Sequence, residues 1–152
     1  MSENSVITDS MRKAVGKDGP SATYPVEKWH IKRFAEAVGD DNILFTDDEK
    51  AKNTRWGGVI ATPTFLRCCV SLGPGIDYRS ESGLTRALDG GSEWAYFDAI
   101  RPGDEITVTS AIAGFQERDT KMGRTLVTTT RTTYRNQHGH VVATQTTTGM
   151  TY

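Results

Sequence analysis

The C-terminal half of the chain leaves little choice but an antiparallel sheet. Residues 92–100 (SEWAYFDAI), 104–116 (DEITVTSAIAGFQ), 124–136 (RTLVTTTRTTYRN) and 140–150 (HVVATQTTTGM) are rich in β-branched and aromatic residues. Such side chains suit a pleated, half-buried surface and lose rotamer freedom in a helix. Turn chemistry separates the segments: Arg101-Pro102-Gly103-Asp104, then Asp119 to Gly123, then Gln137-His138-Gly139. These short connections predict neighbouring strands that run in opposite directions. Threonine fills five of the six positions 128–133, so long and half-exposed strands are expected there.

The first half reads differently. Residues 1–23 are polar and carry Gly16, Gly19 and Pro20, which suggests an irregular or short-strand lead-in. Ile31, Phe34, Ala35 and Val38 then recur at helical spacing, with Lys32, Arg33 and Glu36 on the other face. Glu27 stands where a helix dipole favours an acid, and Gly39 is a natural stop. Residues 62–75 (TPTFLRCCVSLGPG) predict a second helix, opened by Thr62 and Pro63 and closed by Gly73-Pro74. Its apolar residues cover most of the circumference, so it is expected to be buried. The architecture this order implies is α+β, with the antiparallel sheet laid against the buried helix.

Composition removes several classes of function. The chain has 152 residues, enough for one domain, with 18 basic and 19 acidic side chains and a net charge of −1. That balance gives no reason to expect nucleic acid or an anionic membrane surface as partner. No apolar run reaches the ~18 residues of a membrane span, and the N-terminal stretch lacks the apolar block of a secretory signal, so a soluble cytoplasmic protein is expected. Cys68 and Cys69 are adjacent and are read as core packing. No two of His, Cys, Asp and Glu show zinc-type spacing, so neither a metal nor a cofactor is expected.

Residues 34–51, FAEAVGDDNILFTDDEKA, resemble the signature of the MaoC-like (R)-specific enoyl-thioester hydratases and dehydratases. Phe34, Gly39, Asp40, Asn42, Asp47 and Ala51 fall on that pattern, whereas Ile43 replaces its proline and Phe45 its histidine. GGVIATPTF at 57–65 resembles the family's glycine-rich approach to the central helix, and RPGDEI at 101–106 its turn between two strands. The resemblance runs from about Tyr24 to the end, and is nearest to the N-terminal or non-catalytic modules of the family. It implies one hot-dog domain over 24–152, a curved antiparallel sheet wrapped around a buried central helix, after the lead-in 1–23.

The resemblance also implies chemistry. Hydrating an enoyl thioester needs a base for the attacking water, a proton for the α-carbon and stabilisation of the thioester oxygen. The family positions are Asp40, with Asn42 in support, and a histidine at 45, where this chain has Phe45. The proton pair is therefore incomplete. Phe45, Arg55, Trp56, Gly57, Gly58, Ile60 and Thr62 are the expected substrate contacts, with the glycines passing a pantetheine arm and Arg55 meeting a phosphate. Blander readings stand beside these: Gly39-Asp40 as a helix stop and turn, Arg55 as a solvated loop arginine, and Thr46 with Glu49 as a capping box. His30, His138 and His140 read as solvated.

Two functional classes follow. In one, the chain holds an acyl-CoA or acyl-carrier-protein thioester while a second hot-dog subunit supplies the Asp/His pair. In the other, it is a self-sufficient homodimer, a lyase or thioesterase using Asp40. A non-catalytic acyl-thioester binder is a third possibility.

Overall fold

The computed structural model describes residues 5–152; the first four residues of the lead-in lie outside that range. Strands β1 (Ala22–Pro25), β2 (Ala87–Tyr96), β3 (Glu105–Thr120), β4 (Gly123–Arg135) and β5 (Val141–Thr151) form one sheet in the order β1-β3-β4-β5-β2. Every pairing is antiparallel. The tight turns expected after Asp119 and Gln137 join β3 to β4 and β4 to β5. Cross-strand rows fix which side chains share a face. Val108, Tyr134, Ala143 and Tyr96 form one row, and Ser110, Thr132, Gln145 and Trp94 the next on the same face.

That inner face meets helix α2 (Lys28–Val38), as the helical periodicity predicted. Ile31 and Ala35 are fully buried, and Gly39 ends the helix at φ 71°, a left-handed cap that a residue with a Cβ takes only with strain. Ile31 packs with Phe65, Leu66, Ile106, Val108 and Tyr134. Each large apolar side chain removed from water there contributes about 1.5–3 kcal/mol. Two short helices follow, α3 (Ile43–Thr46) and α4 (Asp48–Lys52).

The expected buried helix over 62–75 is shorter and tighter than its sequence suggested. Only Pro63–Cys68 is helical, and it is a 3₁₀ helix. Phe65, Leu66 and Cys69 face the core, while Cys68 is exposed and Val70 and Leu72 are each 61% exposed. The reason is tertiary. The backbone beyond Cys69 leaves the inner face: Tyr24 Oη donates to the Val70 carbonyl at 2.7 Å, and a Cβ on Gly19 would collide with the Gly73 carbonyl. Tyr24 of β1 and Gly19 of the lead-in thus hold 70–75 outward, and the sheet keeps only a short helical plug at this point.

The lead-in itself is more ordered than its composition suggested. It contains helix α1 (Asp9–Ala14), capped by Thr8 and anchored by the fully buried Met11, and it contacts β3. A further short helix, α5 (Tyr78–Ser82), precedes β2. Among the described residues no helix is long and apolar enough to cross a membrane.

Candidate functional site

The signature segment folds as a chain of local caps. Asp40 Nα–H returns to the Ala35 carbonyl at 2.9 Å, and the Asp40 carboxylate accepts from the Asn42 backbone N–H at 3.2 Å. Asn42 Oδ1 in turn accepts from the Leu44 N–H at 3.0 Å and caps α3. These are the turn and capping bonds that Asp and Asn side chains make with nearby backbone. The expected capping box at Thr46 and Glu49 is replaced: Asp47 caps α4 by accepting from the Glu49 and Lys50 N–H groups. Thr46 instead donates its hydroxyl to the Asn42 carbonyl at 3.0 Å. A carboxylate one residue closer to the helix outcompetes the hydroxyl as acceptor for its first free N–H groups.

This capping places Phe45 inward. Phe45 is 7% exposed and packs with Ala35 and Ile60, flanked by Leu44, Trp56 and Ala99. The Ile60 N–H donates to the Leu44 carbonyl at 3.0 Å, and the Ala61 N–H to the Ile100 carbonyl at 2.8 Å. The two bonds pin the 59–62 segment between α3 and the chain leaving β2. Beside it lies a cleft of about 430 Å³. Phe45, Arg55, Trp56, Ile60 and Thr62 of the expected contacts all line it; Asp40, Asn42, Gly57 and Gly58 do not.

Sequence reasoning missed the opposite wall, which consists of Tyr96 to Ile100 with Leu66 at the base. Those residues follow the glycine-rich segment by some forty positions, and only their aromatic content hinted at more than a strand. The cleft is largely apolar. Its charges are Arg55, whose guanidinium lies 4.6 Å from the Trp56 ring centroid, and Asp98, paired with Arg101 at 3.6 Å. A cation over an indole face is held by the ring quadrupole and remains free to meet an anion from solvent.

No imidazole borders this cleft among the described residues. His30 lies against Trp29, with ring centroids 4.0 Å apart, in a separate hollow on the other side of Phe65, formed with Phe34. His138 and His140 sit in the β4–β5 turn. Thr62 is buried but makes no capping bond to the 3₁₀ helix, and a helix of six residues offers only a weak dipole to a thioester oxygen. The expected core packing of the two cysteines holds for one: Cys69 is buried, which pushes its thiol up to about 11, while Cys68 faces outward.

The antiparallel order β1-β3-β4-β5-β2, with short helices against its inner face, defines the hot-dog class. The chain belongs to the family described as FAS1-like, dehydratase domain region, whose pattern matches residues 13–145. The resemblance read from residues 34–51 therefore holds. Over 96 residues the chain is 40% identical to a UPF0336 protein of Streptomyces avermitilis, a match covering 61% of the chain and 64% of that relative. A probable enoyl-CoA hydratase alpha subunit of Thermomonospora curvata is 29% identical over 137 residues, covering 80% of the chain and 43% of the relative. The chain thus spans less than two thirds of the length of these curated relatives. One chain of the ChsH1-ChsH2 complex from Mycobacterium tuberculosis superposes with a TM-score of 0.81 at 17% identity, covering 95% of this chain and 97% of that one.

Proposed function

We propose that the chain is the acyl-holding subunit of an (R)-specific enoyl-thioester hydratase or dehydratase. It grips an acyl-CoA or acyl-carrier-protein thioester while a partner hot-dog subunit supplies the Asp/His pair. One observation carries this reading: a buried phenyl ring, Phe45, walls the cleft where the family pattern places an imidazole. A hydrocarbon ring neither takes nor gives a proton, so water at this position has no base. Asp40, the other family position, spends a carboxylate oxygen on its own turn and does not border the cleft.

The apolar walls and the exposed Arg55 suit an acyl-pantetheine arm and a phosphate, respectively. A partner is supported by the sheet edge. Strand β2 is exposed along nearly its whole length, and Leu88, Tyr96 and Phe97 are 44%, 46% and 63% exposed. An edge with large apolar groups calls for cover. Tyr96 and Phe97 also line the cleft, so a subunit seated on that edge would close it. The names of the Thermomonospora relative, an alpha subunit, and of the ChsH1-ChsH2 complex fit a two-subunit arrangement. A cytoplasmic location belongs to the same proposal.

Crotonyl-CoA hydration, followed by the loss of enoyl-thioester absorbance, tests the reading. The purified chain is expected to show no turnover alone and to gain it when co-expressed with a hot-dog subunit that retains the histidine. Turnover by the chain alone that Asp40→Asn abolishes would contradict the reading, and would favour the homodimeric enzyme instead.

A further inference from the structure

Beyond Leu66, the inner face of the sheet changes character. A second cleft of about 360 Å³ lies between the segment Leu66–Ser71 and strands β2, β4 and β5. Leu66 belongs to both clefts, and the aromatic row Tyr96, Trp94, Tyr134 runs from one to the other, with ring centroids 5.8 and 5.5 Å apart. The floor of this second space is polar. Gln145 is 7% exposed and donates through Nε2 to Ser92 Oγ at 3.0 Å, and Ser92 Oγ lies 3.2 Å from Thr147 Oγ1. Thr132 shares a hydrogen bond of 2.7 Å with the buried Ser110, and Arg67 and Asp89 border the same cleft.

By the strand register Ser92, Thr132, Gln145 and Thr147 share the face that also carries Val108 and Tyr134, with Thr132 and Gln145 buried and Ser92 at its exposed margin. Further along it, Thr128 Oγ1 is buried with no hydrogen-bond partner among the described residues. A plain alkyl chain laid on such a floor would strip water from hydroxyl and amide groups and return nothing. Gln145 Oε1 accepts from the Tyr134 hydroxyl at 3.4 Å and one of the two amide protons goes to Ser92; neither bond engages the second amide proton.

We infer that this cleft receives the distal part of the acyl group, and that the acyl group carries a hydroxyl or carbonyl oxygen there rather than being an unsubstituted alkyl chain. Gln145 and Thr132 are the specificity-determining residues, with Arg67 assisting when the oxygen is a carbonyl. The inference rests on the acyl-holding reading above and narrows its substrate class. A site that hydrogen-bonds a ligand oxygen rejects the analogue lacking it, because its own groups are then left dry and unpaired.

The test is calorimetric binding of octanoyl-CoA and of a positional series of hydroxyoctanoyl-CoA thioesters. It uses the full chain in the assembly in which it purifies. At least one hydroxylated thioester is expected to bind about tenfold tighter than octanoyl-CoA. Gln145→Leu should erase that preference while keeping octanoyl-CoA affinity, with a melting curve to show the fold intact. If that variant unfolds, Ser92→Ala, at an exposed position, is expected to halve the discrimination or more. Equal or tighter binding of octanoyl-CoA, or a preference that survives both substitutions, overturns the inference and leaves the acyl-holding reading standing. Failure of every thioester to bind removes that reading and the inference together.

Discussion

The helical segment and the sheet line one interior with opposite chemistry. From residues 28–69 come Ile31, Phe45, Ile60, Phe65 and Leu66, all apolar and buried. The sheet matches them through Ile106, Val108, Tyr134 and Ala143; further along the same face it presents Ser110, Thr128, Thr132 and Gln145, also buried, interspersed with the apolar Ile112 and Leu126. The border falls where the 3₁₀ helix stops. Against Phe65 and Leu66 the inward positions of the sheet are apolar, and in the cleft beyond Leu66 they include Thr132 and Gln145. The difference teaches that inward-facing does not mean dry: polar inward residues mark the space that protein atoms leave to water or ligand.

Leu66 stands on this border, 1% exposed and part of both clefts. Leu66→Ala is expected to cost about 2–5 kcal/mol in urea unfolding, the range for deleting a buried leucine. A loss below about 1 kcal/mol would mean that the plug is soft and the two spaces are one. Phe45→His comes next. Placing an imidazole among Ala35, Ile60 and Trp56 without a partner is expected to cost about 1–3 kcal/mol, and crotonyl-CoA hydration should stay absent because Asp40 does not border the cleft. Appearance of turnover would show that the proton pair lacks only its imidazole.

The comparison also explains what could be read from the sequence. The strands were legible because period-2 patterns and turn residues are local signals. The sequence pattern places strand β2 late, at 92–100 against Ala87–Tyr96, since Gly90-Gly91 interrupt it as a bulge and only pairing with β5 carries the ladder through. The sequence overstates the helix over 62–75 because a nearly all-apolar segment reads as surrounded, whereas Val70 and Leu72 stand exposed where Tyr24 and Gly19 hold the backbone away. The approach of Gly19 to Gly73 is not signalled in a polar lead-in whose helix α1 is held by one buried side chain, Met11. At the site, Phe45, Trp56, Ile60 and Thr62 were legible as neighbours in one motif, but the wall from Tyr96 to Ile100 arrives by long-range pairing. The Asp40 and Asn42 spacing was legible too, and its turn-and-cap geometry is the blander of the two readings it allowed.

A smaller effect sharpens the polar side of the comparison. Thr128 lies opposite Phe115 on β3 and Gly149 on β5, and its buried hydroxyl has no partner among the described residues. Thr128→Val keeps the shape and removes the unpaired group, so a gain of about 1 kcal/mol is expected. A loss of similar size in the same unfolding assay would mean that the hydroxyl is hydrogen-bonded in solution, and that the polar floor extends to this row.

The last expectation concerns how the apolar side is clasped from outside. Asp48 of α4 bridges to Lys32 at 2.6 Å and to Lys28 at 3.0 Å, both on α2. The Lys32 hydrogen bond, then that of Lys28, holds its carboxyl below the usual carboxylate range. A group whose folded value is depressed stabilises the protein above its unfolded pKa of about 4, and that contribution fades as pH falls through the lower folded value. The melting temperature of the natural chain should therefore drop more steeply below about pH 4 than that of Asp48→Asn, and added salt should shrink the gap, since the pair is partly open to solvent. Parallel acid profiles for the two proteins would mean that α4 is held to α2 by packing alone, with Ala51 rather than the ion pairs as its anchor.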